Sequence, residues 1–429
     1  MQEIKREQYL KRLIDRMGNG LVKIVTGIRR CGKSYLLFTI FKNYLLSNGV
    51  PESRIISLAL DEKANTEYRV PDNLYKYIIS QIPNDNETFY VLLDEAQLAI
   101  TDEELKGNKP IELYSILNEL IHKRNVDVYI TGSNSKFLST DVMTEFRGRG
   151  DEIHVNPLSF AEFMSVYDKS KFEGYEEYSV YGGLPLTLSE STHEGKAKYL
   201  NDLFKNTYKN DVIERYNLKG DVVLDTLVDI LSSDIGSLTN PTKLANTFNS
   251  NGIKTNDKTI AQYIGHLTDA FIIQKAKRYD IKGKKYIGSP LKYYFTDIGL
   301  RNARLNFMQI EPTHAMENIV YNELLVRGFN VDVGIVEHHS KDKNGKNIVV
   351  RNEVDFVCNK GSQRYYIQVA YAIPDKEKMA QESASLDRIG DSFKKIIVVH
   401  DYILPWHNEK GYLIINVMDF LLNPDSLEL

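Results

Sequence analysis

The chain has 429 residues, 42% hydrophobic and 26% charged, with a net charge of −4. The length suits about two to four domains, and a net-negative chain is no general polyanion binder, so any nucleic-acid site must be local. Cys31 and Cys358 are the only cysteines, which excludes a disulfide framework or a C-x-x-C zinc site and fits a reducing cytoplasm. The charged start, Met1 to Glu7, lacks the apolar core of a signal peptide, and no apolar run approaches membrane-spanning length.

In chain order, residues 3–17 carry Ile4, Tyr9, Leu10, Leu13, Ile14 and Met17 near helical spacing, which predicts an amphipathic helix. From 21 to about 165, apolar strands at roughly 21–26, 54–60, 89–93, 127–132 and 151–155 alternate with helical stretches. That alternation predicts a parallel sheet with helices on both faces and a ligand site at the strand carboxyl ends. The first strand runs into Gly27-Ile28-Arg29-Arg30-Cys31-Gly32-Lys33-Ser34, with Tyr35 opening a helix. This is a complete G-x-x-x-x-G-K-[ST] phosphate loop in strand–loop–helix context. Gly27 and Gly32 let backbone N–H groups turn toward phosphate oxygens, and the helix adds its positive end. Lys33 supplies charge to the outer phosphates and Ser34 a hydroxyl for magnesium.

The third strand ends in Asp94-Glu95. Asp94 is placed to hold magnesium through water and Glu95 to polarise the attacking water. Two adjacent carboxylates here point to ATP hydrolysis rather than a small GTPase switch. Past the fourth strand, Ser133 or Asn134 is placed either to sense the γ-phosphate or to cap the next helix. Arg147 and Arg149, just before the fifth strand, are either a finger for a neighbouring subunit's nucleotide or a basic surface turn.

Residues 158–235 read as mostly helical, interrupted by a tight turn at Tyr181-Gly182-Gly183-Leu184-Pro185. A helix opens at Asn240-Pro241, with cap and first-turn proline. Asn251-Gly252 is a turn, and a second helix spans roughly 256–270. A hairpin follows with Lys282-Gly283-Lys284 at its tip. Two helices and a hairpin predict a winged helix. Between 271 and 305 there are nine Lys or Arg (275, 277, 278, 282, 284, 285, 292, 301, 304) against Asp280 and Asp297, a local excess of seven positive charges. This is either a phosphate footprint for DNA, a solvated hairpin or lid, or a surface for protein.

The phosphate loop, Asp94-Glu95-Ala96-Gln97, Thr131-Gly132-Ser133, Pro157-Leu158-Ser159-Phe160 and Gly182-Gly183-Leu184-Pro185 occur in this order. The set resembles a bacterial and archaeal group of AAA+-type ATPases with a C-terminal domain of unknown function that looks related to restriction endonucleases. The resemblance covers nearly the whole chain. It implies an α/β fold: an AAA+-like parallel-sheet P-loop core over 1–165, a helical lid or linker over 166–235, a winged helix over 236–305, and a restriction-endonuclease-like domain over 306–429. The nuclease pattern wants an acidic residue on a helix, an Asp on a strand and (E/Q)-x-Lys on the next. Glu317, Asp355 and Gln368 match it, but the lysine position is Ala370. A methyl group neither bears charge nor hydrogen-bonds, so the expectation is a retired nuclease fold.

Together these features predict a magnesium-dependent ATPase whose nucleotide state moves a DNA- or protein-binding surface. The rival readings are an ATP-bound switch without hydrolysis and an ATP-dependent nuclease. The expected ligands are ATP and Mg2+. The expected partners are DNA, a second copy of the chain or an unknown protein, with no membrane.

Overall fold

The computed structural model describes residues 3–83, 87–105, 108–132, 149–216, 218, 222–341 and 347–429. The chain divides into two compact units, Met1–Pro157 with Asp269–Phe271, and Leu158–Thr268 with Ile272–Leu429.

The first unit is built on five strands, β1 (Val22–Thr26), β2 (Ile55–Ala59), β3 (Phe89–Asp94), β4 (Val126–Thr131) and β5 (Gly150–His154). Their order is β2-β3-β4-β1-β5 and every pairing is parallel. The sequence places each strand within about one residue of its observed bounds, because strands buried on both faces show as unbroken apolar runs. One face packs Ile24, Leu58, Val91 and Val128 against Leu74 and Ile78 of helix Pro71–Gln81 and Leu113 and Leu117 of helix Glu112–His122. On the other face Phe41 meets Tyr129 at 4.7 Å between ring centres. The N-terminal helix is shorter than its periodicity suggests, Glu7–Ile14.

A charged pair lies inside this core. Lys23 on β1 is fully buried and pairs with Asp127 on β4, whose second oxygen accepts from Tyr129 Oη at 2.9 Å and Gly18 N at 3.0 Å. Burial pushes the Lys23 ammonium pKa down, against the pull of Asp127. Removing either partner would strand the other charge in a dry site.

The second unit opens with helices Phe160–Met164, Lys171–Tyr181, His193–Tyr208 and Val222–Ser233, in keeping with the mostly helical reading of residues 158–235. Helices Pro241–Ser250 and Asp257–Asp269 follow, the first capped by Asn240, whose Oδ1 accepts from Lys243 N at 2.6 Å. Then come β6 (Ile273–Asp280), β7 (Lys285–Phe295), β8 (Asn330–Lys341), β9 (Asn347–Lys360), β10 (Gln363–Ala370), β11 (Lys394–Val399), β12 (Trp406–His407) and β13 (Leu413–Asn416). All eight share one mixed sheet of order β12-β13-β11-β10-β9-β8-β6-β7. The two helices and hairpin expected of a winged helix are therefore present, but the hairpin β6–β7 is also the edge of the C-terminal sheet. Arg278 to Asp280 of β6 run parallel to Val333 to Ile335 of β8.

The glycine pair at 182–183 has a structural reason. Gly182 adopts φ +72°, and a side chain there would overlap the Asp297 carboxylate. Gly183 N donates to Asp297 Oδ2 at 2.8 Å, and Leu158 N donates to the Gly183 carbonyl at 2.7 Å. Burial raises the Asp297 pKa to about 6, although backbone N–H groups favour its charged form. A Cβ at Gly183 would overlap the Leu158 carbonyl oxygen. Gly183→Ala should therefore lower the stability of the second unit by about 2–3 kcal/mol, read as a lower denaturation midpoint.

Candidate nucleotide site

The loop after β1 owes its shape to three residues with positive φ, Gly27 (141°), Arg30 (64°) and Gly32 (100°). Gly27 has no room for a side chain, since a Cβ would overlap the Val155 carbonyl oxygen. The helix that leaves the loop runs from Lys33 to Ser47, with a wider turn over Leu36–Phe41. Ile28 and Cys31 are buried, Arg29 is half-buried, and Arg30, Ser34 and Tyr35 are exposed. Lys33 is buried and folds back on the loop, donating to the carbonyls of Gly27 at 2.9 Å and Ile28 at 3.1 Å. An arriving phosphate oxygen would compete for this ammonium with two neutral acceptors, and charge-assisted bonds are the stronger kind.

The loop is held from below and from the side. Thr26 Oγ1 donates to Glu152 Oε1 at 2.6 Å and lies 3.1 Å from His154 Nδ1. Burial, with the Lys33 charge adding to it, pushes the His154 pKa down to about 4, so this ring is neutral at pH 7. From the N-terminal segment, Arg6 donates to Asn156 O at 2.7 Å and Cys31 O at 3.4 Å. Tyr9 Oη accepts from Asn156 N at 3.1 Å.

Asp94 and Glu95 sit at the carboxyl end of β3. Thr131, the last residue of β4, bridges them: its hydroxyl donates to Asp94 Oδ1 and accepts from Glu95 N at 3.3 Å. Glu95 adopts φ +50°. Burial raises its carboxyl pKa, with Lys33 and Gln97 opposing, and Gln97 Nε2 donates to Glu95 Oε2. The Lys33, Asp94 and Glu95 charges thus share one end of the sheet. Ser133, Asn134 and Arg147 lie outside the described residues. Arg149 is exposed, with Nη1 3.3 Å from Asn118 Oδ1. Its carbonyl accepts from Val22 N, at the start of β1 and the opposite end of the sheet from its own phosphate loop.

Residues 19–164 match the model of an AAA domain, and residues 172–311 match a domain of unknown function (DUF8612). An uncharacterized protein of Haemophilus influenzae is 32% identical over 424 residues, spanning 98% of both chains. The chain belongs to the AAA-type P-loop ATPases. An uncharacterized protein of Methanocaldococcus jannaschii is 27% identical over 93% of this chain and 85% of its own length. A Walker-type ATPase of Pyrococcus abyssi aligns in structure with a TM-score of 0.46 and 17% identity, over 71% of this chain and 96% of that one. The second matched domain covers the helices and the hairpin, and ends before most of the C-terminal sheet.

The basic stretch of this AAA ATPase looks different once folded. Arg278, Lys292 and Arg301 are buried. Arg301 is spent on Ser232 O at 2.7 Å and Asn302 Oδ1 at 3.0 Å, and Arg304 pairs with Asp229 at 2.7 Å. Lys275, Lys277, Lys282, Lys284 and Lys285 stay exposed on the hairpin, so its free charge is lower than the composition of 271–305 suggests.

The nuclease-like residues form a separate cluster. Glu317 is on helix Pro312–Val326, and Glu353 and Asp355 are two apart on β9. Lys292 of β7 reaches Glu317 at 2.9 Å and Glu353 at 2.7 Å. Tyr294 Oη donates to Glu317 Oε1 at 2.6 Å, and Val369 N donates to Asp355 Oδ2 at 2.8 Å. Burial opposes the Lys292 charge, but Glu317, Asp355 and Glu353 outweigh it and hold its pKa above the usual lysine value. Gln368 Oε1 accepts from Ser385 Oγ at 3.4 Å, and Ala370 is packed in an apolar cluster with Val354, Tyr366 and Leu386.

Sequence reasoning named Thr131 and Gln97 only as motif residues and Lys292 only as part of the basic stretch, assigned none of them a site role, and missed Arg6. Gln97 lies two residues past Glu95, a visible proximity. Lys292 and Arg6 meet partners 25 or more residues away, which no local pattern signals. Thr131→Val should lower ATP turnover by about tenfold while leaving nucleotide affinity nearly unchanged, because it removes two bonds to the Asp94-Glu95 turn and none to the loop. Steady-state turnover beside a nucleotide titration checks this.

Proposed function

We propose that the protein is a magnesium-dependent ATPase that couples its nucleotide state to a DNA-binding surface on the lysine hairpin. The observation that carries the hydrolytic part is the meeting of the phosphate loop with Asp94, Glu95 and Thr131 at one end of the parallel sheet. In this reading the backbone N–H groups of Gly27 to Tyr35 hold the phosphates and Lys33 leaves its carbonyls for the outer ones. The Ser34 hydroxyl and Asp94 would hold Mg2+, which would supply positive charge against the negative charge gathered on the phosphates. Glu95, half-buried beside Gln97, orients and deprotonates water. Ser133 or Asn134 is the nucleotide sensor. Arg149, remote from its own loop, suits a role toward a second copy of the chain.

A nucleotide-bound switch with negligible turnover is the second reading. The Gln97 bond to Glu95 favours it, since a glutamate held this way is not free to meet water.

Lys33→Ala should abolish ATP turnover, and Glu95→Gln should lower it by about 10²–10⁴-fold while keeping nucleotide binding. Both are read by phosphate release, and wild-type-like turnover in either variant would remove the residue from the assigned site. Absence of turnover in the wild type, with tight ATP binding, would instead favour the switch.

The DNA part rests on the five exposed hairpin lysines. Changing Lys282, Lys284 and Lys285 to Glu should weaken binding to duplex DNA and flatten its salt dependence by about 2–3 in log–log slope. Unchanged affinity and slope in that triple variant would take the hairpin out of the DNA-binding reading.

A further inference from the structure

A nuclease-like helix–strand–strand arrangement implies a divalent cation held by its carboxylates, so the fit of this cluster to a metal is the first question. It does not fit. Among the described residues no three Asp, Glu, His or Cys side chains converge as a metal-binding group. The space between Glu317 and Glu353 is taken by the Lys292 ammonium, at 2.9 and 2.7 Å. Glu317 Oε1 also accepts from Tyr294, and Asp355 Oδ2 is engaged by Val369 N. Gln368 is turned to Ser385. Position 370, where the pattern wants lysine, faces an apolar cluster.

We propose that the Lys292 ammonium stands in for the divalent cation, so that Glu317, Glu353 and Asp355 form a permanent internal ion cluster rather than a metal site. The positive charge missing at 370 is thus restored from a different strand, but as a plug. Lys292 and Tyr294 are alternate residues of β7, so both project to one face and reach Glu317 together. The cluster therefore fastens the hairpin to helix Pro312–Val326 and to β9. The hairpin lysines are carried by the body of the C-terminal sheet and not by a free wing. A buried ammonium with two carboxylate partners is hard to displace, because leaving would strand several negative charges in a dry site.

The test uses the full-length, nucleotide-free protein, with Mn2+ as the probe. Wild type and Asp355→Asn should give the same Mn2+ titration by calorimetry, and EDTA or Mn2+ should leave the wild-type melting temperature unchanged. Lys292→Met should lower the melting temperature, on the order of 10 °C. It should also gain a stabilisation by Mn2+ that is absent from the Lys292→Met/Asp355→Asn double variant. Wild-type Mn2+ binding that disappears in Asp355→Asn would overturn the proposal, and this arm decides even if Lys292→Met fails to fold. A Lys292→Met protein as stable as wild type and indifferent to Mn2+ would overturn it as well. None of these measurements depends on ATP turnover, so failure here is distinct from failure of the ATPase reading.

Discussion

The parallel register of three strands sets the nucleotide site. Val25 of β1 lies beside Thr131 of β4, and Ile130 of β4 lies beside Leu93 of β3. The carboxyl ends of all three strands therefore finish on one edge. The phosphate loop, the Thr131 hydroxyl and the Asp94-Glu95 pair come together there without any long side chain having to reach. A shift of one residue in the β3–β4 pairing would turn Thr131 to the other face relative to β3 and leave Asp94 without its donor. Gly27 adds a second constraint, because the loop can curl only where its backbone passes close under Val155.

Charge in this chain is often structural. Lys23 is buried with Asp127 on two neighbouring strands of the first sheet. Arg301 is buried among carbonyls, and Lys292 sits among carboxylates. Each is an ion whose removal would leave polar groups unsatisfied, which is the expensive side of burying charge. The hairpin shows the consequence. Its exposed lysines keep a basic face, while Arg278, Lys292, Arg301 and Arg304 serve the fold. A count of charges along the chain reads both kinds alike.

The second unit is more continuous than its motifs suggest. Two helices and a hairpin form a recognisable module, yet β6 pairs in parallel with β8. The sheet begun by the hairpin runs on to β12. Any motion that reaches the hairpin lysines must therefore involve this sheet or melt the β6–β8 pairing.

Much of the first unit was legible in the amino-acid sequence. The five strands, the phosphate loop and the Asp94-Glu95 pair are local patterns: apolar runs, glycines at a fixed spacing, carboxylates at a strand end. Local patterns survive without knowledge of neighbours because backbone geometry alone demands them. The glycine pair at 182–183 was legible as a tight turn, though its reason, the Asp297 carboxylate and the Leu158 backbone, was not. Which side chains complete the sites emerges only from the packing of distant segments. Thr131 meets Asp94 across 37 positions of sequence, Arg6 meets Cys31 across 25, and Lys292 meets Glu317 across 25. The same holds for which lysines are free and which are buried, since burial and ion pairing are properties of the packed chain. Local pattern alone was enough to mark a phosphate-loop core of AAA type. Folding decided that the lysine absent from position 370 is answered by Lys292, because strand pairing brings β7, β9 and helix Pro312–Val326 to one buried point.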